Sequence, residues 1–213
     1  MEVAQVLIFS LLVVLPIAAF AHHREPSRRA RFPRRVGFWF TTVCIVLFGL
    51  FLTGETLSDP GGWKGIGLVA MWLVPLAALC VATWLNPNRA SWFLDPLVVA
   101  VVGLSVWFAA DPQAWRAFEN QNGPVRVVVI LVLCAPLAIW GLRRTMQASV
   151  ALLVIGLVPI VIAGATEPGG LSSLAVVSYP PLITGLLYLV AAYEERRRRG
   201  PALAVSGHDP KAG

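Results

Sequence analysis

Seven apolar runs divide the chain almost end to end, each bounded by charge or by glycine and proline. They cover residues 3–21, 36–54, 65–85, 91–110, 124–142, 146–166 and 171–193. A helical crossing of a bilayer's hydrocarbon core needs about 20 mostly apolar residues. In lipid the backbone must satisfy its own hydrogen bonds, which leaves helices and closed barrels. Residues 1–193 therefore predict an all-α fold, a polytopic transmembrane helical bundle of seven spans. Residues 194–213 predict a basic, disordered tail. The connections are too short to hold a separate soluble domain. Charged residues are 13% of the chain, against about 25% in soluble domains, and this excludes an ordinary cytosolic enzyme.

Three runs depart from a plain span. Residues 3–21 resemble a signal peptide in length, but the basic residues follow them instead of preceding them, which predicts an uncleaved first span. Residues 96–110 number only fifteen, so the fourth span reaches full length only by starting near Ser91 and enclosing Asp95. The fifth run, clear from Val127, lengthens to residue 124 if Arg126 snorkels outward.

Charge sets the expected orientation. Fourteen of the seventeen lysines and arginines fall in the segments after runs one, three, five and seven; Lys64, Arg116 and Arg126 fall in the others. The positive-inside rule then places the N-terminus outside and the C-terminus in the cytoplasm. The net charge of +6 is explained by this orientation, and nucleic acid is not an expected partner. Seven of the eight tryptophans, all but Trp72, fall at the expected boundaries, where indole rings favour the headgroup zone. Arg34, Arg35, Arg143, Arg144, Arg196, Arg197, Arg198 and Arg199 would form a collar that attracts anionic lipids.

Most intramembrane chemistry is excluded by inventory. His22, His23 and His208 all lie outside the runs, so no span supplies a haem or metal imidazole or the base of a Ser–His hydrolase. Lys64 and Lys211 lie at a boundary and in the tail, which removes a Schiff base in the last span. Cys44, Cys80 and Cys134 sit in three separate runs with no metal-type spacing and read as small buried apolar residues. No nucleotide-binding signature is present. No catalytic residue, metal or cofactor is expected.

Four acids remain as a candidate outer site. Asp59-Pro60 and Asp111-Pro112 are echoed by Glu167-Pro168, at spacings of 52 and 56 residues, and Glu55 closes the second run. Asp followed by Pro is helix-start chemistry, a cap and then a first-turn proline. The sharper reading is a degenerate triple hairpin whose acids Glu55, Asp59, Asp111 and Glu167 converge on a cation or solute. Asp95 is either the cap of a span starting at Pro96 or an acid one turn inside the bilayer, where it would mark an ion path. Between Asp111 and Gly123-Pro124, the spacing of Trp115 and Phe118 predicts a short interfacial helix with both rings in the headgroups. Pro16, Pro75, Pro136 and Pro159 interrupt other runs, and the pair Pro180-Pro181 predicts a kink or break in the seventh. Ala78/Ala82 and Ser105/Ala109 suit close helix contacts.

Gly54-Glu55-Thr56, Asp59-Pro60-Gly61-Gly62-Trp63 and the stretch Gly67–Pro75 resemble uncharacterised multi-pass membrane proteins of high-GC actinobacterial type. The resemblance covers runs two to five. It implies a plasma membrane location and no known activity, and it carries no site residues. The expected function is a non-enzymatic accessory, scaffold or sensor protein of the membrane, with the bilayer, a membrane protein or a second copy as partner. The alternatives are a small-solute or ion transporter using the outer acids, and an outer-face enzyme acting on lipid through Glu55, Asp59 and Glu167.

Overall fold

The computed structural model describes residues 31–58, 62–122, 125–166 and 171–205. Seven helices, and no strand, account for the described residues: α1 (Arg31–Ser58), α2 (Gly62–Leu85), α3 (Ala90–Ala110), α4 (Pro112–Asn122), α5 (Val125–Gly141), α6 (Thr145–Thr166) and α7 (Leu171–Val205). The first apolar run, residues 3–21, lies outside them. Four helices are long and apolar enough to cross a membrane: α1, α2, α3 and residues Thr145–Ile162 of α6. The apolar α5 is shorter, at 17 residues.

That shorter helix is the centre of the bundle. α5 packs against α1, α2, α3, α6 and α7, and it buries Ile130, Leu131, Leu133, Cys134, Leu137, Ala138 and Trp140. Leu94, Val98 and Val101 of α3 join this core, as do Leu152 and Ile155 of α6 and Tyr188 of α7. α6 and α7 approach most closely, because each offers a glycine to a leucine of the other. A Cβ at Gly156 would meet the Leu182 side chain at 2.7 Å, and one at Gly185 would meet Leu153 at 2.9 Å. Small residues let two backbones come within dispersion contact where lipid gives no hydrophobic drive between helices.

The outside of the bundle is as apolar as its inside. α2 is apolar along most of its 24 residues yet buries only Gly65, Leu76 and Thr83, and Trp63 of α2 and Trp92 of α3 are 87% and 85% exposed. A water-soluble monomer rarely shows apolar surface on this scale. This is the surface of a chain that associates with a membrane.

α3 begins at Ala90, next to the Ser91 start that a full-length fourth span requires, so Asp95 lies in its second turn and is not a cap. Pro96 lies inside the helix and removes one bond, the amide that would reach the Trp92 carbonyl. Two features of α7 differ from the sequence expectation. α7 runs through Pro180 and Pro181 without a break. The two prolines remove only the amides that would reach the carbonyls of Val176 and Val177, and the buried rings are held by packing. α7 also continues to Val205, so residues 194–205 are helical instead of disordered. Glu194 and Glu195 precede Arg198 and Arg199 by four residues, the spacing and order that support a helix.

Candidate functional site

The acids do not assemble into a described site. Asp111 joins α3 to α4, and its carboxylate accepts a hydrogen bond from the Ala114 amide at 3.0 Å. It is therefore the helix cap that the Asp-Pro pair predicts. Glu55 is exposed in the last turn of α1. Asp59 and Glu167 lie outside the described residues. Asp95 is exposed on the outer surface of α3, away from the core face of Leu94 and Val98. Among the described residues, no three His, Cys, Asp or Glu side chains are grouped to hold a metal ion.

At the Asp111 end, α4 folds down onto the bundle. Trp115 is fully buried. Its ring stands edge-on to Trp107 at 5.3 Å and to Phe108 at 6.3 Å, and lies 5.5 Å from Phe118. Arg126 of α5 stacks on Phe108 at 4.2 Å and donates to both oxygens of Glu119, at 3.0 and 2.7 Å. Two expectations change here. Trp115 is a plug under α4 and not a surface anchor: its ring is buried among three others, and its indole N–H has no hydrogen-bond partner among the described residues. Arg126 does not snorkel outward; a bidentate carboxylate and an aromatic face hold it in. Sequence reasoning missed the roles of Glu119 and Phe108, although Glu119 and Arg126 lie only seven residues apart, on either side of Gly123-Pro124 in the sequence.

Inside the bundle, polar groups bond from helix to helix. The Thr41 and Thr184 hydroxyls meet between α1 and α7. Ser149 of α6 donates to the Gly185 carbonyl at 2.8 Å. Tyr188 of α7 donates to the Ala138 carbonyl of α5 at 2.7 Å, and Trp140 ties α5 to the α2–α3 turn by donating to the Pro87 carbonyl at 3.0 Å. None of these hydroxyls meets an imidazole or a carboxylate, so none is paired with a general base.

The arginines of the expected collar divide into two kinds. Arg34 is an internal staple. It donates to the Leu142 carbonyl and to the Thr145 hydroxyl, both at 3.2 Å, and pairs with Glu195 at 3.1 Å. It thereby ties α1 to the α5–α6 turn and to α7. Arg35 and Arg197 are exposed, and the side chains of Arg198 and Arg199 lie outside the described residues. Arg143, Arg144 and Arg196 line an open cavity of ≈ 240 Å³ where the α5–α6 turn meets α7.

No protein-family model, no curated protein and no solved structure matches this chain.

Proposed function

We propose that this chain is a seven-span plasma-membrane protein that acts as a non-enzymatic accessory or scaffold subunit. Its N-terminus lies outside and its C-terminus in the cytoplasm. The observation that carries the reading is how the embedded polar groups are used. Thr41, Ser149, Tyr188 and Thr184 bond one helix to another and Trp140 bonds α5 to the α2–α3 turn, while the outward faces are apolar. Such bonds hold a bundle rigid in lipid. The five apolar helices α1, α2, α3, α5 and α6, the apolar part of α7 and residues 3–21 make seven crossings. On this reading the basic clusters, which follow runs one, three, five and seven in the sequence, share the side that the positive-inside rule assigns to the cytoplasm. Its partners are the bilayer, its anionic lipids at the basic end, and a second membrane polypeptide or a second copy of the chain.

The topology is tested by single cysteines, Gln113→Cys in α4 and Ser206→Cys in the tail, in a chain whose own three cysteines are replaced. An impermeant maleimide should label the first on intact cells and the second only after permeabilisation. The reverse pattern removes the orientation. The accessory role is tested by crosslinking in native membranes, which should give one product of constant stoichiometry; a chain that stays monomeric and unlinked ends that reading.

A second reading, a small-solute or ion transporter, has one observation in its favour: Asp95 lies within a helix. It loses its residues if Asp95→Asn and Glu55→Gln leave proteoliposome cation flux unchanged.

A further inference from the structure

The open cavity at the basic end has an unusual charge balance. It is lined by Arg143, Arg144, Arg196 and Glu195, with Thr145 and Gln147 of the first turn of α6. The single carboxylate is already neutralised, because Glu195 pairs with Arg34. The arginines have only neutral partners. Arg144 donates to the side-chain oxygen of Asn88 at 3.2 Å. Arg143 lies over the Trp84 ring at 5.8 Å. Arg196 has no ion pair among the described residues. Three arginines thus line one concavity, and among the described residues none of them has an ion pair. The helix start adds to them: Ala148 is the first residue of α6 whose amide reaches a carbonyl one turn back, that of Arg144. The amides before it have no intrahelical acceptor, and their residues, Thr145, Met146 and Gln147, line the same cavity.

We propose that this cavity binds one phosphate-bearing anion, with Arg144 and Arg196 as the clamp and Arg143 at the rim. Guanidinium groups match phosphate oxygens in geometry and charge, and helix-start amides favour the same ligand. At ≈ 240 Å³ the cavity is smaller than the ~300–1,000 Å³ of sites for drug-sized molecules, so it suits a single headgroup or a free phosphate. This sharpens the diffuse collar into a site of defined stoichiometry. Its lipid form rests on the membrane reading above; its free-phosphate form does not.

The test uses the full chain in phosphatidylcholine nanodiscs, followed by native mass spectrometry and titration. One arm adds short-chain phosphatidic acid and the other adds inorganic phosphate. One equivalent should bind in at least one arm, and the arm that saturates identifies the source. Arg144→Gln and Arg196→Gln should each weaken binding about tenfold, the loss of roughly one charge-assisted hydrogen bond. Arg197→Gln, exposed and not lining the cavity, should leave binding unchanged. Arg196 is exposed on α7, so its variant carries the test even if Arg144→Gln unfolds. The proposal is overturned if neither probe binds at millimolar concentration, if several equivalents bind, or if Arg197→Gln weakens binding as much as Arg196→Gln. The maleimide experiment reports orientation separately, so the two readings fail independently.

Discussion

Gly141→Ala measures how firmly the basic end of the bundle is closed. A Cβ at residue 141 would overlap the Tyr188 ring, whose Cε2, Cδ2 and Cζ atoms are its nearest neighbours. The ring has little freedom to move aside. Its hydroxyl donates to the Ala138 carbonyl at 2.7 Å. It also lies against α1, where a Cβ at Gly37 would meet its Cε1 at 3.1 Å. Overpacking of this kind costs ~1–3 kcal/mol. The opposing effect is the greater helix propensity of alanine, up to ~1 kcal/mol, and little of it is realised because Gly141 is the last residue of α5. The net expectation is a loss of ~1–2 kcal/mol. At ~2–4 °C per kcal/mol for a chain of this size, Tm falls by about 2–8 °C. The assay is thermal unfolding of the purified chain in detergent, in the wild type and in a Tyr188→Ala background. Tyr188→Ala alone lowers stability by ~3–5 kcal/mol, as for other buried aromatics. Within it the overlap is gone, so Gly141→Ala becomes neutral or slightly stabilising. This change of sign is specific to the ring contact. An equal loss in both backgrounds, or a rise in the wild type, would refute the packing argument.

Two further expectations follow from the ion pairs. Glu119→Gln removes the charge that holds Arg126 and loosens α4 from the bundle, so amide exchange over residues 112–122 should quicken about tenfold while α5 and α6 stay protected; unchanged exchange in α4 would mean that the Trp115 plug alone holds it. Arg34→Met should lower Tm more than Glu195→Gln, because the first removes three bonds joining α1, the α5–α6 turn and α7, and the second leaves two of them. Losses of roughly 2 and 1 kcal/mol are expected; the reverse order would show that the carboxylate, and not the arginine, organises this end.

The helices were legible in the sequence because length and composition are one-dimensional. An apolar run bounded by Gly62, Asp111-Pro112 or Gly123-Pro124 becomes a helix with nearly those ends whichever neighbours surround it. The cap at Asp111 was legible for the same reason, since it needs only an amide three residues away. What was not legible is rotation. In a soluble helix the apolar stripe shows which face turns inward. In α2 and α6 both faces are apolar, so nothing local distinguishes Leu76, which is buried, from Val74, which is exposed. The facing residue is set by contacts far along the chain: Thr41 meets Thr184, and Arg34 meets Thr145, 143 and 111 residues apart. The two readings of Asp95, cap or helix interior, could not be separated for a related reason: a proline can start a helix or be carried inside one, and here Arg89 and Ala90 begin the helix and Pro96 is carried inside it.

The arginines show where a sequence count stops being informative. Counting treats Arg34, Arg144 and Arg196 alike, and for orientation that is sufficient, because the rule depends on how many basic residues stay on one side. Their energetics differ. Arg34 is matched by Glu195 and two oxygens, so its charge is internally balanced and its contribution is to hold three helices together. Arg144 and Arg196 have no ion pair among the described residues and line a concave surface, an arrangement that becomes favourable when an anion enters. The difference originates in Glu195. It sits next to Arg196 in sequence, yet its carboxylate reaches back to α1, leaving its neighbour unmatched. A chain with Arg34 replaced would free that carboxylate to pair with Arg196 or Arg144. The bundle's staple and the proposed anion site are therefore linked through one acid: Arg34→Met should weaken phosphate binding although residue 34 does not line the cavity, and Arg34→Met combined with Glu195→Gln should restore it.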